Sequence, residues 1–326
     1  MATTVFTAAS TAEEVATAYQ SQVQGKTILI TGGNTGLGLE TAKQLAGHGA
    51  TVIFTSRSEK NGEAAVKTIK EAYPSANVTF LQMDLASVQS VKAFATQFLA
   101  TYSTLNILIN NAGVMACPKT FTTDGFETQF GVNHLGHFYL TQLLLPLLLK
   151  SASKAFPSRI VTLSSVGQFF YAPPEGIMFD DLNADQSYNS WVRYGHAKLA
   201  NVLFAKEINA RYASKNLISV AVHPGMVIGT DLKRHFDFWN VIDTVWQVAT
   251  KPGALGVVMG ERNKSIPEGA STTVLCAVGS DIAGGGFYYD CKISEGEKLH
   301  PLAGDADLAK RLWDVSEKLV ADALKK

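Results

Sequence analysis

Short apolar runs rich in β-branched residues alternate with helix-periodic stretches along most of this chain, and that alternation constrains the fold more than any other feature. "KTILITGG" reads as a buried strand and its turn. "LGLETAKQLAGHG" follows with apolar residues at helical spacing and a glycine stop at Gly47 or Gly49. The pattern repeats as "TVIFTSR", "KNGEAAVKTIKEAY" closed by Pro74, "VTFLQMDL", "SVQSVKAFATQFLATY" and "LNILINNAG". "RIVTLSS" and "ISVAVHPG" are later strands, each preceded by a helical stretch. Such alternation gives a parallel sheet covered on both faces, and right-handed crossovers make it doubly wound. The expected fold is therefore a single α/β domain over residues 25–326, preceded by an N-terminal extension at 1–24. From Met226 to about Arg262 the pattern loosens and aromatics gather, so a substrate-covering helical segment is expected there. "LAKRLWDVSEKLVADALKK" closes the chain as a helix with a basic tail.

Composition narrows the function classes. The 326 residues are 46% hydrophobic and 17% charged, with a formal net charge of zero, so a large core is expected and a nucleic-acid footprint is not. Cys117, Cys276 and Cys291 are widely spaced and odd in number, which argues against a disulfide framework or a zinc cluster and for a reducing compartment, here the cytoplasm. His134, His137 and His196 lack carboxylate or cysteine partners at metal spacing, so no metal site is read. "MATTVFTAASTAEEVATAYQ" lacks a basic region followed by an apolar run, so it does not read as a signal peptide or anchor. "FYLTQLLLPLLL", Phe138 to Leu149, is too short to span a bilayer and reads as a buried helix or subunit contact. Peripheral membrane contact and a monomer or homodimer are compatible with this composition.

"TGGNTGLG" stands between the first strand and the first helix. Gly32, Gly36 and Gly38 form a variant of the dinucleotide fingerprint: glycines permit the tight turn, and the helix N-terminus favours a pyrophosphate. A site for NAD normally carries an acid ~20 residues further on, holding the ribose 2′-hydroxyl. Here the second strand ends "FTSRSEK", with Ser56 and Arg57 at its tip, and an arginine there suits a 2′-phosphate. NADP(H) is the expected cofactor of this Rossmann fold.

"YGHAK" places Tyr194 and Lys198 four residues apart, on one face of a helix. Together with "TGGNTGLG", "NNAG" at 110, "NHLGHF" at 133, "LSS" at 163 and "HPGMVIGTDL" at 223, this order of motifs resembles the short-chain dehydrogenase/reductase family. The similarity runs over roughly residues 25 to 320. "VNHLGHFYLT", "EGA" at 268 and "LWDVSEKLV" look most like retinol-dehydrogenase-type reductases and the catalytic domain of the WW-domain-containing oxidoreductase. Neither a WW domain nor the amino-terminal anchor common in retinol dehydrogenases is seen.

The resemblance implies a role for each matching residue. Tyr194 would deliver a proton to a carbonyl oxygen. Lys198 would lower the phenol's pKa from its ordinary ~10 and hold the nicotinamide ribose. Ser165, favoured over Ser164 by its place in the motif, would hold the substrate oxygen. Asn133 would hold a water in a relay to the lysine. The cofactor would be contacted by Gly32, Asn34, Thr35, Gly36, Leu37, Gly38, Arg57, Asp84, Leu85, Asn111, Ala112, Gly113, Pro224, Gly225, Val227 and Thr230, besides Tyr194 and Lys198. Asp84 would meet the adenine amino group, though alone it reads equally as a helix cap. "FFYAPPEG" would border the substrate entrance, and Cys117 reads as a buried, inert thiol. His235 to Val248 places Phe236, Trp239, Ile242, Val245, Trp246 and Val248 largely along one helix side, as either a core face or an aromatic cover for a lipophilic aldehyde, ketone or retinoid.

The resulting expectation is an NADP(H)-dependent oxidoreductase of carbonyl or alcohol groups. A non-catalytic NADP(H)-binding redox sensor and a light-dependent protochlorophyllide-type reductase are the alternatives. A sensor need not keep Asn133, Ser165, Tyr194 and Lys198 together.

Overall fold

The computed structural model describes residues 5–229, 256–257 and 260–325. Among the described residues ten strands form: β1 Thr27–Ile30, β2 Thr51–Ser56, β3 Asn77–Gln82, β4 Ile107–Asn110, β5 Ser158–Leu163, β6 Leu217–Val222, β7 Met226–Val227, β8 Asn263–Lys264, β9 Phe287–Tyr289 and β10 Lys292–Ile293. Eight make one sheet in the order β10-β9-β6-β5-β4-β1-β2-β3, and β7 pairs with β8 apart from it. Every pairing in the large sheet is parallel except the β9–β10 edge. That antiparallel edge turns through Asp290 and Cys291, both left-handed. It was not anticipated from the sequence, since two short strands carry too little periodicity.

Alternation along the strands explains the two-sided core. Ile28 and Ile30 of β1, Val52 and Phe54 of β2, and Ile107 and Ile109 of β4 share one buried cluster. Their neighbours Leu29, Ile53 and Leu108 belong to another. Successive strand side chains point to opposite faces, so the uninterrupted apolar runs need helices on both. Helices α1 Ala12–Ala18, α2 Gly36–Gly47, α3 Glu59–Ala72 and α7 Ile266–Val278 supply the first cluster. Helices α4 Val88–Thr101, α5 Gly136–Ser151 and α8 Ala306–Ala323 supply the second, joined by α6 Ser190–Tyr212. Helix α2 ends at Gly47, and Gly49 beyond it takes φ +97°.

Residues of the N-terminal extension pack into the first cluster. Thr11 and Glu14 form a reciprocal capping box that starts α1, and Ala12, Val15, Ala16 and Val23 are fully buried. At the other end, Trp313 of α8 packs edge-on to Phe138 of α5 and stacks on Phe204 of α6. The apolar run from Phe138 is thereby covered within the chain. No helix among the described residues is long and apolar enough to cross a membrane.

Strand order reverses at β1: β2 lies on one side and β4 on the other. Ligands of doubly wound sheets bind in the crevice beyond the strands' carboxyl ends at this switch point. Both the glycine turn after β1 and the "NNAG" turn after β4 open there.

Candidate active site

The glycine turn is shaped by contacts that a side chain would break. Gly36 opens α2 at φ +54°, in the left-handed region. A Cβ on Gly38 would collide with the Gly32 carbonyl and the Asn111 side chain. Asn111 donates from Nδ2 to the Thr31 carbonyl at 2.8 Å, while its backbone N–H and that of Ala112 reach Thr31 Oγ1 at 2.9 and 3.0 Å. The two turns are thus stitched together by a residue, Thr31, that sequence reasoning quoted without assigning it a role. Asn34, Thr35 and Leu37 lie on this turn and the first turn of α2, which has no acidic residue. The glycine cradle and the positive end of α2 fit a dinucleotide pyrophosphate.

Arg57 is exposed immediately beyond buried Ser56 at the carboxyl end of β2. Asp84 caps its own turn, with Oδ1 accepting from Ala86 N at 3.0 Å. Leu85 is buried, and its carbonyl would lie 2.6 Å from a Cβ on Gly136. Gly225 takes φ +92°, and any Cβ there would meet Lys264. Val227 and Leu37 meet at Gly269, bringing the "HPGMV" segment against the start of α2. Thr230 and the stretch His235 to Val248 lie outside the described residues, as does most of the expected covering segment.

Beyond the carboxyl ends of β4 and β5 the structure brings four side chains together. Ser165 ends β5's loop and Tyr194 sits in the first turns of α6; a Cβ on Gly167 would lie 2.8 Å from Tyr194 Cε1 and 3.3 Å from Ser165 Oγ. Ser164 points elsewhere: its hydroxyl donates to the Lys198 carbonyl at 2.7 Å. Lys198 Nζ donates to the Leu163 carbonyl at 3.0 Å and lies 5.8 Å from the Tyr194 ring centre. Asn133 stands in a single π turn, Gly131–Leu135, an element that recurs at functional sites. Its side chain brackets Val114, accepting from N at 2.9 Å and donating to O at 3.0 Å. A Cβ on Gly113 would lie 2.9 Å from Asn133 Oδ1 and 3.5 Å from Lys198 Nζ, so the two flank this glycine.

Burial governs the electrostatics. Tyr194 is pushed up to about 12 by burial, against which its hydrogen bond from Ser165 pulls down. Burial lowers the Lys198 ammonium to about 8. The sequence suggested that the lysine depresses the phenol's pKa; in the protein alone, desolvation outweighs any such effect. At neutral pH the pair is a protonated phenol beside a readily deprotonated ammonium. That arrangement can donate a proton from Tyr194 and replace it through the lysine side.

The wall beside Tyr194 is aromatic. Trp191 meets it edge-on at 6.3 Å between ring centres, and Tyr171 packs on Trp191 at 4.8 Å. Met115, Ala116, Val166, Phe169, Phe170 and Val257 complete this cluster. Cys117 is buried nearby, its carbonyl accepting from Tyr188 at 2.6 Å. Arg193, next to Tyr194, is fully buried and ion-paired with Asp181. No sequence pattern signals that pair, because a loop and the first turn of α6 separate its members.

A second buried charge cluster underlies Gly225. Lys264 pairs with Asp290 at 2.6 Å, and Glu261 with Lys298 at 2.6 Å and His223 at 3.5 Å. Burial would raise the Glu261 carboxyl, but His223 and Lys298 hold it at about 2. Gln168, three residues past Ser165, donates to the Lys298 carbonyl and accepts from His300 N. His134 bonds Ser316 at 2.9 Å and His196 accepts from Met178 N at 3.2 Å; burial holds both near 3, so they are neutral core residues.

The profile described as short chain dehydrogenase matches residues 26–176. Retinol dehydrogenase 12 of Mus musculus is 40% identical over 301 residues, 92% of this chain and 87% of its own length. Short-chain dehydrogenase TIC 32 B, chloroplastic, of Brassica napus is 39% identical over 317 residues, 96% of this chain and 93% of its own. Among solved structures, an uncharacterized protein from Mycobacterium Paratuberculosis superposes with a TM-score of 0.69 at 33% identity, covering 93% of this chain and 97% of that one.

Proposed function

The chain belongs to the short-chain dehydrogenase family, and from that premise we propose that it is an NADP(H)-dependent oxidoreductase of lipophilic aldehydes, ketones or the corresponding alcohols, retinoids among them. The observation that carries this reading is the convergence of Ser165 and Tyr194 on Gly167, with Lys198 anchored behind them on Leu163. When bound, the nicotinamide supplies or accepts the hydride. Ser165 and Tyr194 hold the substrate oxygen, and Tyr194 exchanges the proton with it. Lys198 holds the ribose and, with Asn133, returns the proton to the phenol. The glycines and the N-terminus of α2 would hold the pyrophosphate, with Thr31 fixing the turn beneath them.

Preference for the phosphorylated cofactor is supported by Arg57 at the tip of β2, where no acid stands. An apolar substrate is supported by the aromatic wall of Phe169, Phe170, Tyr171 and Trp191. The same reading assigns Asp84 to the adenine and Pro224, Gly225, Val227 and Thr230 to the nicotinamide. It places the enzyme in the cytoplasm as a monomer or homodimer, a compartment suited to its three free thiols.

The test is oxidation of NADPH and NADH with straight-chain aldehydes of increasing length, then retinoids. Each methylene buried should contribute ~0.8 kcal/mol, about fourfold in kcat/KM, until the wall is covered. A flat profile from short to long chains would overturn the lipophilic assignment. Tight NADPH binding with no turnover on any carbonyl would favour the non-catalytic sensor.

A further inference from the structure

His137 lies one turn beyond Asn133, fully buried, and touches both halves of the site. Its Nε2 is 2.8 Å from Thr31 Oγ1, and its Nδ1 is 3.0 Å from the Asn133 carbonyl. Each end fixes a proton independently. A carbonyl only accepts, so Nδ1 must carry hydrogen. Thr31 Oγ1 already accepts from Asn111 N and Ala112 N, which fill a hydroxyl's two acceptor sites. Its own hydrogen must therefore go to Nε2.

We propose that His137 is a positioning residue, held in the neutral Nδ1–H tautomer, that ties the cofactor turn at Thr31 to the π turn carrying Asn133. The π turn is where such a tie matters. There the Gly136 N–H reaches back five residues to Gly131, so the carbonyl register is shifted around Asn133. The His137 ring braces the shifted carbonyl from the side. Thr31 in turn holds Asn111 and Ala112, Val114 beyond them is bracketed by the Asn133 side chain, and a Cβ on the intervening Gly113 would lie 3.5 Å from Lys198 Nζ. The loop of hydrogen bonds closes on itself through the glycine turn, the "NNAG" turn, Val114, the asparagine and the histidine, with the lysine beside it. Lys198 and His134 are the titratable groups bearing on His137. Burial, with the Lys198 charge adding to it, lowers His137 to about 4, in keeping with a ring that stays neutral. The tautomer follows from hydrogen-bond geometry alone; the coupling to turnover rests on the function proposed above.

Long-range proton–nitrogen correlation on histidine-labelled protein reads the tautomer directly. The His137 signals are those missing from the His137→Gln spectrum. The expected pattern is a protonated Nδ1 and an unprotonated Nε2, unchanged from pH 7.5 to 5.5. A proton on Nε2, or a cation at pH 7, overturns the proposal. Two substitutions then separate the limbs. His137→Asn keeps a donor near Nδ1 and loses Thr31, so its loss should fall mainly on NADPH affinity, about 3- to 10-fold. His137→Gln keeps an acceptor near Nε2 and loses the Asn133 carbonyl. Its loss should fall mainly on kcat, by a similar factor, with a shifted alkaline limb of the pH profile. Identical behaviour of the two variants, or wild-type behaviour of both, overturns the coupling. If the wild type turns over no carbonyl, the proposed function fails, while the tautomer and the NADPH affinities still decide this inference.

Discussion

Replacing Lys198 with methionine should make the protein more stable while disabling it. The ammonium is buried and its pKa falls from 10.5 to about 8. At ~1.4 kcal/mol per pH unit, that gap amounts to ~3 kcal/mol of destabilisation carried by the charged side chain. Methionine has similar length and no charge. Removing Nζ leaves no orphaned acceptor, because the Leu163 carbonyl also accepts from Asn201 Nδ2 at 2.9 Å. The pH dependence is the sharper signature. Between pH 8 and 10.5 the unfolded chain keeps a proton on Lys198 that the folded chain has shed, so wild-type stability rises with pH across this window relative to the variant. The variant's advantage should be ~3 kcal/mol at pH 7, shrink above pH 8, and vanish near pH 10.5. Denaturant unfolding of both proteins without cofactor, at matched m values, measures it. A variant less stable than wild type, or an advantage indifferent to pH, would refute the claim that burial controls this lysine.

Tyr194→Phe keeps the ring and loses the proton; turnover should fall at least ~10²-fold while NADPH still binds, and near-normal kcat would remove Tyr194 from proton transfer. Arg57→Ala should weaken NADPH about 10- to 150-fold and spare NADH, as read by fluorescence titration; equal losses would make Arg57 structural. Arg193→Ala strands the Asp181 carboxylate and should cost ~3 kcal/mol or more in unfolding free energy, with faster proteolysis between Asp181 and Asn189; an unchanged melting temperature would show that the pair is dispensable.

Local periodicity made the strands and flanking helices legible, because each apolar run must bury itself whatever its partner. The order of motifs likewise pointed to Ser165, Tyr194, Lys198 and Asn133 before any geometry was known. What stayed hidden depends on contacts between distant residues. Nothing in "LSS" alone says that Ser164 turns toward Lys198 and Ser165 toward Tyr194. The π turn at Asn133 has no composition of its own. His137 was read only for metal chemistry, since its partners lie 106 residues away at Thr31 and within a backbone carbonyl. The Glu261, Lys298 and His223 cluster is assembled from three separate segments of chain, so no spacing rule could find it.

The burial of α1 against α7 has a consequence for how the protein is made. Ala12, Val15 and Ala16 share a cluster with Val274, Leu275 and Val278. Helix α1 therefore docks on a helix made much later in synthesis. About 250 residues separate them, and at ~5–20 residues per second the interval is ~13–50 s. Throughout it, the apolar stripe of α1 has α2 to pack against but lacks α7, its larger native partner. Closing so long a loop is also entropically slow, so the amino-terminal helix should lock only after the sheet has formed. The nascent chain thus carries an incompletely covered apolar helix until α7 emerges, and shielding it in the meantime falls to α2 and to whatever chaperones meet it.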